Sequence, residues 1–99
     1  MHARLSTIEF GTTSRRAEAL KMLSAAVQRC RSMRGFEAAY YLDDADGLRI
    51  ISVMMFDSEA NLEASRWEEE ELHRRARAIG VTFPRTEVFR VMAFATNTE

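Results

Sequence analysis

Over residues 48–58 the chain reads LRIISVMMFDS, and as a strand this run is apolar on both faces. Alternation puts Leu48, Ile50, Ser52, Met54 and Phe56 on one side and Arg49, Ile51, Val53, Met55 and Asp57 on the other. Such a strand needs cover twice over. An alternating strand is predicted over residues 3–10, broken by GTTS, in which Thr13 or Ser14 offers an N-cap. A helix follows over about 14–33, with Leu20, Leu23, Val27 and Cys30 along one face and Gly35 in the stopping position. FEAAYYL, residues 36–42, forms a second strand, and DDADG turns it into the 48–58 run as a hairpin in which Gly47 takes positive φ. Ser58 caps a second helix that reaches Ile79 and ends at Gly80. Pro84 then keeps the chain extended ahead of a last strand, TEVFRVMAFA, residues 86–95.

The order is βαββαβ, a ferredoxin-like α+β domain spanning residues 1–99, with no repeats or linkers. Both helices pack on one side of a four-stranded antiparallel sheet and leave the other side bare. The second apolar face of residues 48–58 therefore predicts a partner sheet. The last strand agrees, since Val88, Met92 and Phe94 alternate with Phe89, Val91, Ala93 and Ala95, apolar on both sides at a sheet edge. Two such sheets packed face to face make a homodimer closed by symmetry, a dimeric α+β barrel.

The second helix changes phase. Ala60, Ala64 and Trp67 lie on one line, whereas Leu72, Ala76 and Ile79 lie on another, about 120° away around an ideal helix. A kink near residues 68–71 is expected, or else two separate contacts, the first with a partner subunit. Glu70 with Arg74 and Glu71 with Arg75 have the spacing of surface ion pairs, worth roughly 0.2–0.5 kcal/mol each.

Composition narrows the class. Of 99 residues, 46% are hydrophobic and 29% charged, which describes one globular domain with an apolar surplus for its size. A net charge of −1 argues against a nucleic-acid partner. Arg29, Arg31 and Arg34 cluster, but they complement the carboxyl end of a helix. The start shows no continuous apolar run of the secretory kind and no segment spans a bilayer, so the expected location is the cytoplasm and no membrane partner is expected. A single cysteine, Cys30, permits no internal disulfide and falls on the core face of its helix.

Chemistry-bearing motifs are sparse. There is no Gly-rich phosphate loop, no Cys/His metal spacing and no serine elbow. Asp43, Asp44 and Asp46 lack the rest of a calcium loop and read as turn residues. His73 is a candidate general base, with Glu69 one turn before it as an ion-pair partner that explains it equally well. Trp67 either anchors packing or walls a pocket. Met54 and Met92, with Tyr40 and Phe56, are candidates to line a soft apolar site for a small organic molecule.

The strand order, GFEAAYYLDD running into GLRIISVMMFDSEANLEAS, and the closing TEVFRVMAFA resemble the antibiotic-biosynthesis-monooxygenase-like proteins over nearly the whole chain. The resemblance implies a dimeric α+β barrel and an oxygenase needing no cofactor or metal. It also implies that an acidic phenol or enol is deprotonated in an apolar cavity and the anion reacts directly with dioxygen. Trp67 and His73 resemble a Trp and Tyr pair of the anthrone-oxidising members, with His in the place of Tyr. Asn61 is the candidate for the accompanying Asn, at a different offset from Trp67. The haem-degrading branch matches less well: its first-strand Asn falls where Ser6 and Thr7 stand, its proximal His lies beyond His73, near Ala76 and Arg77, and Trp67 has no atom to ligate iron.

The same strand order occurs in RNA-recognition domains, but those place stacking aromatics on the third strand, where this chain has Ile, Val and Met. The sequence therefore predicts a cofactor-independent monooxygenase of a small, largely apolar aromatic or polyketide-like molecule. A non-catalytic ligand-binding or assembly module of the same fold is the alternative, and a haem-degrading oxygenase a minor one.

Overall fold

Strand β1 (His2–Phe10) sorts its side chains by alternation, burying Arg4, Ser6, Ile8 and Phe10 on one face and leaving Leu5, Thr7 and Glu9 more open on the other. The computed structural model describes residues 1–93 and residue 95. After β1, a short 3₁₀ turn at Thr13–Arg15 leads into α1 (Arg16–Arg31), then β2 (Phe36–Asp43) and β3 (Arg49–Phe56). The second helical segment comes in two pieces, α2 (Glu59–Ala64) and α3 (Arg66–Ala78), and β4 (Val81–Arg90) closes the order. The sheet runs β2-β3-β1-β4 with every neighbouring pair antiparallel. That is the ferredoxin-like βαββαβ arrangement the sequence predicts.

The helices cover one face only. Ala19, Leu23 and Ala26 of α1 and Leu72 and Ala76 of α3 pack on Ile8, Phe10, Ile50 and Val81. A second cluster joins Cys30, Met54, Phe56 and Leu62. Burial of each large side chain here stabilises the fold by roughly 1.5–3 kcal/mol. The same burial, with the neighbouring Glu68 carboxylate adding to it, pushes the Cys30 thiol up to about 11, so Cys30 is a core residue.

Between the two clusters the covered face turns polar. The pairings Tyr41↔Ser52, Ser52↔Ser6 and Ser6↔Thr86 align hydroxyl side chains in one row across all four strands. Tyr41 Oη donates to Leu23 O at 2.7 Å, tying the row to α1.

The opposite face carries Ile51, Val53 and Met55 with Leu5, and at its margins Tyr40, Leu42 and Phe89, each about half exposed. Both faces of β3 are thus apolar, and the described chain covers one of them.

Several boundaries differ from expectation. Thr13 and Ser14, the expected N-caps, lie inside the 3₁₀ turn, so α1 begins at Arg16 with no side-chain cap, and it ends at Arg31 with Ser32 as its C-cap, ahead of Gly35. The break in the second helical segment falls at Ser65, not within residues 68–71. Ser65 is fully buried, and its Oγ donates to Leu62 O at 2.6 Å while Arg4 also donates to that carbonyl at 3.0 Å. Two side chains thus compete for a helix carbonyl, which interrupts the backbone ladder.

The last strand starts at Val81, five residues before the predicted Thr86, and stops at Arg90. Pro84 is tolerated inside it because β4 is an edge strand with a register shift opposite Thr7 and Glu9, where a missing N–H breaks no regular ladder bond. Val91 still donates its backbone N–H to Met1 O at 2.8 Å. Met92, Ala93 and Ala95 lie beyond the strand, and Phe94 lies outside the described residues.

At the turn into β2, Gly35 has φ +81°, and a Cβ there would stand 2.2 Å from Asp57 Oδ1, so this turn needs glycine on two counts.

Candidate functional site

The hydroxyl row and the inner side of α3 meet at Glu69. Ser6 Oγ donates to Glu69 Oε1 at 2.6 Å, and His73 Nε2 lies 3.0 Å from the same oxygen. Thr86 Oγ1 extends the chain to Ser6 Oγ at 3.4 Å. The i, i+4 spacing on α3 puts both Glu69 and His73 over β1 and β4. Their side chains are only 13% and 25% exposed, so the expected surface ion pair is a largely enclosed one. The His73 ring packs against Phe83, centroids 4.1 Å apart and planes inclined by 34°.

Burial is the largest influence on Glu69 and pushes its carboxyl up. Hydrogen bonds from His73 and Ser6, with the charges of His73 and Arg4, outweigh it and hold the group below the usual carboxylate range. An ionised Glu69 accepts only, which makes His73 Nε2 the donor in either form of the ring; in the neutral form Nδ1 keeps the lone pair. The imidazole borders an open cavity of about 180 Å³ with Arg77, Thr82, Phe83 and Pro84.

Arg4 supports this arrangement from below. It is 5% exposed and donates to Ser65 Oγ at 3.1 Å and to Leu62 O. Among the described residues no carboxylate lies within ion-pair distance of it, yet its charge contributes to the lowering of Glu69. Ser6, Arg4 and the enclosure of Glu69 were not singled out from sequence as site residues. The available signal was the pair Arg4 and Ser6 sharing a strand face with Ile8 and Phe10.

The sequence candidates are dispersed. Trp67 is 59% exposed and lines a different groove, with Arg29, Glu68, Glu71 and Arg75. Six residues of helix turn it about 120° away from His73. Asn61 donates from Nδ2 to Asp57 Oδ1 at 2.7 Å, and its backbone N–H is capped by Ser58 Oγ at 3.1 Å, beside Gly35. Met54 and Phe56 are core, Tyr40 stands on the open sheet face, and Met92 is 79% exposed beyond β4. Trp67, Asn61 and His73 therefore do not share a cavity in the single chain. Among the described residues no three His, Cys, Asp or Glu side chains are grouped to hold a metal, and no helix is long and apolar enough to cross a membrane.

Fold and site define a ferredoxin-like α+β protein with a hydrogen-bonded carboxylate and imidazole enclosed between its sheet and its second helical segment. Among solved structures, a candidate antibiotic biosynthesis monooxygenase from Deinococcus radiodurans superposes with a TM-score of 0.82 at 13% identity, over 100% of this chain and 99% of that one. SnoaB, a cofactor-independent oxygenase from Streptomyces nogalater, has a TM-score of 0.74 at 11% identity, over 99% and 97%. The ActVA-Orf6 monooxygenase of Streptomyces coelicolor, in complex with nanaomycin D, has a TM-score of 0.70 at 14% identity, over 96% and 92%. The chain has the fold of the antibiotic-biosynthesis-monooxygenase-like proteins. No protein-family model matches it, and no curated protein matches it in sequence.

Proposed function

We propose that the protein is a cofactor-independent monooxygenase of a small, largely apolar aromatic or polyketide-like molecule, acting as a homodimer through its open sheet faces. The observation that carries this reading is the Ser6–Glu69–His73 chain at the edge of a cavity. Neutral His73 takes the proton of an acidic phenol or enol on Nδ1, and Glu69, already bonded to Nε2, stabilises the imidazolium that results. Arg77, at the same cavity, offers positive charge to the oxyanion. The anion is electron-rich enough to reduce dioxygen directly. A C–O bond forms at the activated carbon to give a hydroperoxide, and the O–O bond then breaks with loss of water. A CH₂ group and O₂ thus become a carbonyl and H₂O, with no external reductant.

Haem fits less well. His73 commits Nε2 to Glu69, and its cavity of about 180 Å³ is smaller than the macrocycle.

The test is dioxygen uptake over a panel of hydroxyanthrone-like phenols, comparing wild type with His73→Ala and Glu69→Gln. Uptake by wild type that falls by about 10²-fold or more in His73→Ala supports the assignment. One observation favours a non-catalytic ligand-binding or assembly module instead, namely that Trp67 and His73 line separate cavities. Absence of uptake across the panel, with small-molecule binding retained, would establish that second reading.

A further inference from the structure

Trp67 takes no part in the Glu69 cluster, and its surroundings suit another task. It walls an open groove of about 510 Å³ between α1 and α3, with Arg29 from α1 and Glu68, Glu71 and Arg75 from α3. The two arginines are held in the same manner. Arg29 donates from Nε to Glu68 Oε1, and Arg75 from Nε to Glu71 Oε1 at 3.1 Å. Among the described residues neither donates a hydrogen bond from its terminal nitrogens.

Glu68 is 2% exposed and its Oε2 has no hydrogen-bond partner among the described residues. Arg29 therefore meets it through one nitrogen and not as a two-pronged fork, which leaves the outer edge of the guanidinium uncommitted. Glu71 is shared between Arg74 and Arg75, whereas the Glu70–Arg74 pair expected from spacing gives way to Arg66–Glu70 at 3.1 Å. The lining holds two arginines, Arg29 and Arg75, against two glutamates, Glu68 and Glu71, so the attraction for an anion comes from the uncommitted terminal nitrogens of the two arginines and not from a net positive charge.

We propose that this groove binds a planar aromatic monoanion, an aryl carboxylate whose ring lies on the Trp67 indole and whose carboxylate meets the terminal nitrogens of Arg29 and Arg75. Each Nε is anchored to a glutamate, so the guanidinium planes are oriented before the ligand arrives. The indole face supplies the apolar part of the interaction. A neutral aromatic gains only the ring contact, and an inorganic anion only the charge. The lining residues are disjoint from those of the His73 cavity, so this site stands independently of the oxygenase reading.

The chain holds one tryptophan, so a single indole N–H resonance in a ¹⁵N-correlated NMR spectrum reports on the groove. The probe is 2-naphthoate, titrated into the full-length protein. A saturable shift with Kd below about 1 mM is expected. It weakens by about fivefold or more in Arg75→Gln, with 2-naphthamide in place of the acid, and on raising salt from about 0.05 to about 0.5 M. Arg75 is an exposed residue, so its replacement leaves the core alone, and His73→Ala is expected to bind as wild type does. A Trp67 resonance that stays still up to about 5 mM naphthoate overturns the proposal. So does a shift of equal affinity with Arg75→Gln or with the neutral amide.

Discussion

Ser6 Oγ and Glu69 Oε1 stand 2.6 Å apart across the junction of β1 and α3. The contact joins residues 63 positions apart in the chain, and it sets a charge acceptor beneath the helical layer where an apolar pair would ordinarily pack. Ser6→Ala leaves the enclosed carboxylate one donor short. The expected loss is about 1.5–3 kcal/mol, the range for hydrogen bonds to charged groups, measured by urea unfolding at neutral pH. A loss under about 0.5 kcal/mol would mean that water takes over the role of Ser6.

The Glu69 carboxyl also predicts an acid limb. Burial raises it, but its hydrogen bonds and neighbouring charges lower it further, so its folded value lies below the ordinary one of 4.5. A depressed folded value stabilises the protein fully above the unfolded value, and that stabilisation fades as pH falls through the folded one. The stability difference between wild type and Glu69→Gln is therefore expected to be level from neutral pH down to about 5 and to narrow in stronger acid. Unfolding both proteins across a pH series checks this. Narrowing that is complete by about pH 6 would contradict a depressed carboxylate as its source.

Ser65 links the helix break to the buried guanidinium. Ser65→Ala removes the acceptor of the 3.1 Å bond from Arg4 Nη1 and strands a donor in a buried site, at an expected cost of about 1–3 kcal/mol. Thermal unfolding reports the loss, and an unchanged midpoint would contradict the role given to Ser65.

Gly35→Ala combines positive φ with a Cβ placed against Asp57 and Asn61. Destabilisation of at least about 1–3 kcal/mol is expected from the backbone conformation and the clash together. Asp57→Ala removes the nearest side-chain atoms, so the double variant is predicted to recover part of the loss. No recovery would place the whole effect in the backbone.

Val53 lies at the centre of the open sheet face, paired with Leu5 on one side and Tyr40 on the other. In the proposed face-to-face dimer, Val53→Asp is expected to give a folded monomer, because the contact would bury an unpaired charge on an apolar face. Native mass spectrometry with circular dichroism distinguishes the outcomes. A wild type that is folded yet monomeric at micromolar concentration would sink the face-to-face assembly.

Local signals in the chain determined much of this protein. Alternation in residues 48–58, the hairpin at Gly47 and the Ser58 cap each act over a few residues, and each element they predict is present. The strand order and the two-sided apolar β3 followed from those signals. Tertiary structure alone decided the break at Ser65, the early start of β4 and the meeting of Ser6, Glu69 and His73. Helical phase is the reason in the last case. A run of four glutamates from Glu68 to Glu71 has no apolar member to mark its inner side, and it is Arg29, from another helix, that lets Glu68 turn inward. With Glu68 toward α1, Glu69 is carried over β1 and Trp67 out to the groove. A rotation of that kind is settled by partners far away in sequence, where no local pattern reaches.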